Sequence, residues 1–238
     1  MNDIEKLKKI IEENNNIVAF TGAGISTLSG IKDFRSKDGL YNMKYKFPPE
    51  EILSRTFFLN ETEEFYKFYK DKMNCLDKKP NIVHKYLAKL EKENKLKAVV
   101  TQNIDGLHTK AGSKNVLELH GSIYRNNCMD CGKNYDADFI FNSKSIPKCS
   151  WGGTIKPDVV LYEESLNDET IIKTIEAISN CDVLLILGTS LTVYPASNFV
   201  NYYKGNNLVI INNMITSFDK GADLVIHSDL KDVFEKLI

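Results

Sequence analysis

Residues 17–26 read Ile17-Val18-Ala19-Phe20-Thr21-Gly22-Ala23-Gly24-Ile25-Ser26, an apolar run that passes directly into a glycine turn. A short apolar run bounded by a turn signal is the pattern of a strand buried on both faces of a parallel sheet. Glycines at this point let backbone N–H groups approach a pyrophosphate seated on a helix N-terminus. Alone, a Gly-x-Gly is a weak signal, since a plain tight turn has the same spacing. The dehydrogenase form of the motif continues to a third glycine, where this chain has Thr27. It also requires an acidic residue about 20 residues on, at the end of a second strand. No second strand pattern follows Ile25, so hydride transfer is disfavoured.

Outward from this stretch, similar apolar runs recur at 98–101, 183–187, 208–211 and 224–226. Helical periodicity occupies 4–13, 81–93, 170–179 and 230–237. The alternation predicts an α/β chain built on a doubly wound parallel, Rossmann-like sheet. Two stretches break the rhythm. Residues 38–80 are rich in aromatics, Lys and Glu, and FYKFYKDKM at 65–73 has helical spacing. Residues 122–158 hold three of the cysteines and a glycine pair without a long apolar run. Both are expected as insertions on the strand-end side of the sheet, where a substrate cleft would lie.

The 238 residues suffice for one substantial core with a small insertion. A net charge of −1 supplies no field to draw nucleic acid or an anionic membrane, so neither is an expected partner. No apolar run approaches the roughly 20 residues of a membrane span. The N-terminal MNDIEKLKKIIEENNN is a charged amphipathic pattern and not a signal peptide, which makes a cytoplasmic address the expectation. An odd count of five cysteines argues against a disulfide framework. Cys75, in a helical stretch, and Cys181, opening an apolar strand, read as small buried hydrophobes.

Six ordered motifs give the chain a resemblance. Gly-Ala-Gly-Ile-Ser-x-x-Ser-Gly-Ile-x-Asp-Phe-Arg over 22–35 resembles the NAD-binding signature of the sirtuin family. Thr101-Gln102-Asn103-Ile104-Asp105-Gly106-Leu107-His108 and Glu118-Leu119-His120-Gly121-Ser122 are similar to its catalytic motifs. The stretch from Lys156 to Glu164 resembles its substrate-pairing segment, although family members often carry Gly at the position of Glu163. The stretches from Gly188 to Pro195 and Ile211-Asn212 resemble its adenosine-side contacts.

The resemblance implies an NAD-dependent protein-lysine deacetylase whose products are nicotinamide, O-acetyl-ADP-ribose and free lysine. It divides the chain into an NAD-binding Rossmann-like domain (1–37, 81–121 and 159–238), a helical insertion or cofactor-binding loop (38–80) and a zinc-ribbon-like insertion (122–158). It places the cofactor against Gly22, Ala23, Gly24, Ser26, Asp33, Phe34 and Arg35, then Gln102, Asn103, Asp105 and His120. Gly188, Thr189, Ser190, Asn212, Asn213, Asp229 and Leu230 complete that set. His120 is implied as the base, with Asn103 and Asp105 ordering ribose and nicotinamide. A histidine suits proton removal because its ordinary pKa is about 6.5. Of the others, His84 and His227 read as packing or surface residues, and His108 as a brace for the catalytic motif.

An acetylated or apolar-acylated lysine peptide is the implied partner, adding as a strand between 159–162 and the 190–194 loop. Val159, Val160, Leu161, Tyr162 and Val193 are its implied contacts, and the enzyme is expected as a monomer or weak oligomer. Sirtuins that favour acidic acyl groups resemble one another in a Tyr-x-x-Arg. Here the stretch is Tyr66-Lys67-Phe68-Tyr69, which lacks the bidentate guanidinium, with Lys70 adjacent.

Cys128, Cys131 and Cys149 resemble a sirtuin zinc ribbon with its last cysteine missing, Trp151 standing in that place. Three readings stay open: zinc held by three thiolates and another ligand, an empty insertion, or Trp151 packed as an apolar substitute. Two rival functions share the scaffold, an NAD hydrolase or ADP-ribosyltransferase and a non-catalytic NAD sensor.

Overall fold

The computed structural model describes residues 1–33, 39 and 45–238. The chain runs α1 (Asp3–Glu13), β1 (Ile17–Thr21), α2 (Pro49–Ile52), α3 (Arg55–Asn60), α4 (Thr62–Lys72), α5 (Ile82–Lys92), β2 (Leu96–Thr101), α6 (Leu107–Ala111) and β3 (Val116–Glu118). It continues through β4 (Gly121–Cys128), β5 (Asn134–Tyr135), α7 (Ala137–Asn142), β6 (Ile155–Val159), α8 (Asp168–Asn180), β7 (Val183–Leu187), β8 (Asn207–Ile211), β9 (Leu224–Ile226) and α9 (Leu230–Glu235).

Six strands form one parallel sheet in the order β3-β2-β1-β7-β8-β9; five of them are the expected apolar runs, and the short edge strand β3 is an addition. Every residue of β1 and β7 is buried, because helices cover both faces. Alternate side chains divide between those faces. Ile17, Ala19, Val99, Leu185 and Val209 pack under α1, α5 and α9 through Leu7, Val83, Leu87 and Phe234. Val18, Phe20, Val100, Leu184 and Ile186 pack on the other side with Ile178 of α8 and Phe199. Burying one such side chain contributes roughly 1.5–3 kcal/mol. Local signals agree: Asn2 and Glu5 form a capping box on α1, and Asn81 caps α5 through the Val83 amide.

The order reverses between β1 and β7. Successive connections lead away from β1 to β2 and β3 on one side, and from β7 to β8 and β9 on the other. A crevice therefore opens at the carboxyl ends of these two strands.

The two insertions share a single core. β5, β4 and β6 form an antiparallel sheet, and Ile123, Ile140 and Ile155 pack with Phe57, Phe58, Phe65, Tyr66 and Tyr69 of the helical stretch. The Tyr66 hydroxyl donates to the Ile155 carbonyl. The Lys70 ammonium donates to the carbonyls of Ser143 and Ser145, which turns it toward the cysteine-bearing insertion. Cys75 lies just beyond α4 instead of within it, and burial pushes its thiol up to about 12. Cys181 is buried before β7 with its thiol likewise at about 12. Among the described residues no helix is long and apolar enough to cross a membrane.

Candidate active site

A cavity of ≈ 530 Å³ lies at the carboxyl ends of β1, β2 and β7, with α4 and the segment after β6 as its opposite wall. That volume is in the range of small-molecule and cofactor sites. Its floor is the glycine turn. The Gly22 amide donates to the Leu187 carbonyl (3.1 Å) and the Gly24 amide to the Gly188 carbonyl (2.8 Å). A Cβ on Gly24 would stand 2.8 Å from the Gly188 oxygen, and one on Gly22 2.6 Å from Cβ of Thr189. These glycines let the loops after β1 and β7 touch, and both amides are spent there. A pyrophosphate at this turn would therefore meet other backbone N–H groups.

Beside the turn, Asp105 anchors a polar network. Its Oδ2 accepts from Ser26 Oγ (2.6 Å) and its Oδ1 from the Leu107 amide (2.9 Å). Asn103 Nδ2 donates to the Gly22 carbonyl (3.0 Å) and to Ser26 Oγ (3.1 Å). Burial raises the Asp105 carboxyl's pKa, against the bonds from Ser26 and Leu107. With both oxygens occupied, Asp105 holds Ser26, and through it Asn103, in place. Gln102 Nε2 donates to Thr189 Oγ1 (3.0 Å), which ties β2 to the loop after β7.

His108 braces this motif from below, its Nε2 3.0 Å from Thr21 Oγ1. His84 packs edge-on against it at 4.8 Å between ring centroids. Burial lowers the pKa to about 4 for His84 and about 3 for His108, so both rings are neutral core residues. His227 packs at the end of β9, with Nδ1 3.1 Å from the Asn212 carbonyl and Nε2 3.1 Å from Asp219.

His120 is the histidine that lines the cavity. Its Nδ1 lies 2.8 Å from the Gln102 carbonyl. A carbonyl oxygen only accepts, so Nδ1 carries the proton and Nε2 keeps a lone pair. Burial lowers its pKa, opposed by the bond to Gln102. The ring is therefore a neutral base with one nitrogen fixed and the other available. Gly121 makes the turn behind it: φ is +73°, and a Cβ there would collide with the Asp158 carbonyl. Arg125 bridges Glu118 (2.6 Å) and Asp158 (2.7 Å), which closes the same turn from outside.

Val159, Val160, Leu161, Tyr162 and Val193 all line the cavity. The amides of Val160, Leu161 and Tyr162 are bonded within the chain, to the His120 carbonyl (3.0 Å), Glu164 Oε2 (2.9 Å) and the Leu53 carbonyl (3.0 Å). Those three donors are spent within the chain, so a peptide strand added along 159–162 would pair there through other backbone groups. Glu163 occupies the left-handed region at φ +74°. Its carboxylate accepts from the Thr56 amide (2.9 Å) and Thr56 Oγ1 (2.7 Å), bonds that hold its pKa low. Tyr69 lines the cavity where the acidic-acyl pattern has Arg, and Lys70 is committed elsewhere.

Of the expected cofactor residues, Gly22, Ala23, Gly24, Ser26, Asp33, Gln102, Asn103, Asp105, His120, Gly188, Thr189, Ser190 and Asn212 line this cavity. Phe34 and Arg35 fall outside the described residues. Asn213, Asp229 and Leu230 do not line it: Asn213 faces solvent, Asp229 caps α9 through the Lys231 amide (2.7 Å), and Leu230 is buried in the core. Lys32, Asp71, Lys72, Cys75 and Lys78 line the cavity without having been expected. The charged end of the FYKFYKDKM helix was the available signal for Asp71 and Lys72. Nothing in the pattern marked Cys75.

In the cysteine insertion, the sulfurs of Cys128, Cys131 and Cys149 lie within 4.8 Å of one another, Cys128 and Cys149 buried and Cys131 exposed. Three convergent thiols are a zinc-type donor set. Trp151 is 87% exposed, so the reading in which it packs as an apolar substitute is overturned. Its amide instead points at the Cys149 sulfur (3.4 Å).

Comparison with known proteins adds to this geometry. The Sir2 family model matches residues 22–195. An NAD-dependent protein deacetylase of Clostridium acetobutylicum is 54% identical over 100% of this chain and 99% of its own length. One of Clostridium perfringens is 56% identical over 99% and 98%. A solved Sir2 structure with a deacetylated p53 peptide and 3′-O-acetyl-ADP-ribose superimposes with a TM-score of 0.92 at 37% identity, covering 99% of this chain and 97% of the other.

Proposed function

The chain belongs to the Sir2 family, and on that premise we propose that it is an NAD-dependent protein-lysine deacetylase. The carrying observation is His120, whose Nδ1 is pinned to the Gln102 carbonyl while Nε2 stays free in the cavity shared with Asn103. The names of the relatives, NAD-dependent protein deacetylases, support the same reading.

When bound, the dinucleotide supplies a ribose carbon that takes up the acyl oxygen as nicotinamide leaves. Asn103, aimed by Ser26 and Asp105, orients the ribose beside the glycine turn. Gln102, Gly188, Thr189, Ser190 and Asn212 hold the rest of the nucleotide along the ends of β2, β7 and β8. His120 Nε2 would accept a proton from a ribose hydroxyl so that this oxygen can bond to the acyl carbon; the bond from that carbon to the lysine nitrogen breaks, water supplies the remaining oxygen, and the lysine leaves as the free amine. Val159, Val160, Leu161 and Val193 enclose the lysine's aliphatic stem and keep water from the reacting carbon. Tyr69 in place of a guanidinium leaves a carboxylate-bearing acyl group without an anchor, so acetyl and other uncharged acyl groups are the substrates.

In this reading the six-stranded sheet is the nucleotide-binding domain, and the helical insertion together with the segment after β6 supplies the far wall. Cys128, Cys131 and Cys149 hold a structural zinc that takes no part in the reaction. The setting is cytoplasmic, and the partner is an acylated protein.

The test is deacetylation of an acetyl-lysine peptide with NAD. The wild type is expected to release nicotinamide only with peptide present, and to act more slowly on succinyl-lysine. His120→Ala is expected to lose at least about 100-fold in rate with its thermal midpoint unchanged. Nicotinamide release at the same rate without peptide would overturn the reading in favour of hydrolysis. Near-wild-type activity of His120→Ala would remove the base assignment.

A further inference from the structure

Three thiolates leave a tetrahedral zinc one donor short. The usual fourth donors are accounted for elsewhere: His84 and His108 pack together, His120 faces the cavity, and His227 is held by Asn212 and Asp219. Cys181 lies in the core against the main sheet and Cys75 lines the cavity. Trp151 faces solvent.

Both cysteine turns nonetheless keep a closed shape. The Gly132 amide donates to the Cys128 carbonyl (3.0 Å) and the Gly152 amide to that of Cys149 (3.0 Å). The Met129 amide donates to the Thr154 carbonyl (2.9 Å), which fastens one turn to the other. Gly152 has φ +86° with open space where a side chain would stand, so backbone conformation explains it. Gly153 is different. Its φ is not in the left-handed region, yet a Cβ there would lie 2.5 Å from Asp130 Oδ2 and 2.7 Å from Cys128 Sγ. The space a side chain would need is occupied by a carboxylate oxygen and a thiol that flank one point.

We propose that Asp130 supplies the fourth ligand, making this a three-cysteine, one-aspartate zinc site in which Gly153 leaves room for the carboxylate. The proposal deepens the zinc reading above and is independent of the deacetylase assignment. Zinc accepts carboxylate oxygen as well as thiolate. Three thiolates and a carboxylate give the ion the same net surrounding charge as four thiolates. Asp130 sits within the Cys128–Cys131 turn, its carboxylate beside the Cys128 sulfur but outside the group that the three sulfurs form with one another. Metal binding draws it in by rotation about its own side-chain bonds. Because a carboxylate holds zinc less firmly than a thiolate, the ion is expected to leave more readily than from a four-cysteine site.

The experiment measures zinc per chain in the purified full-length protein, its rate of release to a chromogenic chelator, and the absorption spectrum of the cobalt-substituted form. The wild type is expected to carry one zinc. Asp130→Asn is expected to release it at least about tenfold faster and to change the cobalt ligand-field bands. Asp130→Cys is expected to slow release below the wild-type rate and to strengthen the thiolate-to-cobalt absorption. A wild type with zinc, together with an Asp130→Asn variant of unchanged release rate and cobalt spectrum, would overturn the assignment of Asp130 alone. A wild type without metal would overturn the zinc reading as well. Asp130 is exposed, and the circular dichroism of each variant checks that its fold is intact.

Discussion

On the sheet side of the cleft, the turn after β1 and the loop after β7 meet through backbone: glycine amides on carbonyls, above strands buried along their whole length. The opposite wall is assembled differently. There the segment 159–164 is fastened by side chains, with Glu164 on the Leu161 amide and on Lys156, and Glu163 on Thr56. One side draws its shape from a large apolar core, so any single polar contact matters little to it. The other rests on a handful of discrete bonds, each open to replacement. The difference leaves the sheet side fixed by its core and the segment 159–164 open to adjustment by single substitutions.

The sharpest way to break this contrast is at the joint between the two sides. Gly121 turns the chain from β3 and His120 into β4, in a conformation that side chains rarely adopt and against the Asp158 carbonyl. Gly121→Ala is expected to lose nearly all activity and at least about 2 kcal/mol of stability, read by urea unfolding. A stable, active Gly121→Ala variant would mean that the joint is not a fixed point.

A second test addresses the core under the catalytic strand. His84 and His108 have pKa values lowered from 6.5 to about 4 and about 3, so the unfolded chain binds protons that the folded chain refuses. Their contribution is complete above the unfolded value and is lost as pH falls through the window between 6.5 and those folded values. Each is expected to cost about 2 kcal/mol between pH 7 and pH 5. Urea midpoints across that range should fall steadily, and His84→Gln should flatten the slope. A midpoint insensitive to pH would show that these rings are not the buried neutral pair described.

The smallest effect concerns Glu163. Glu163→Ala loses both bonds to Thr56 and keeps the left-handed strain, so its urea midpoint is expected to fall slightly below that of the wild type. Glu163→Gly loses the same bonds but relieves the strain, so its midpoint should lie above that of Glu163→Ala. Equal stabilities for the two variants would show that the backbone strain carries no weight here.

The same contrast explains what the sequence discloses. A strand buried on both faces must be apolar at every position, so β1, β7 and β8 are legible as runs of Val, Ile and Leu. The motifs of the cleft are legible because chemistry restricts them, and most of their residues do line one cavity. The spent amides of Gly22 and Gly24 were not legible, because a glycine is compatible with loop contact and ligand contact alike. Asp229 and Leu230 lie off this cavity for a related reason, since a helix cap and a core position look no different in one dimension. Nor did periodicity reveal that the helical and cysteine-bearing stretches share a core, which depends on Tyr66 meeting Ile155 across distant chain.

The register of β1 against β7 pairs Ile17 with Val183, residues from the first and last quarters of the chain. As the polypeptide leaves the ribosome, β1 therefore waits with an open edge while most of the protein is made. The turn at Gly22 and Gly24 cannot settle until Gly188 arrives to meet it. A fragment that stops before β7 would lack Gly188, Thr189 and Ser190, and with them one side of the cavity.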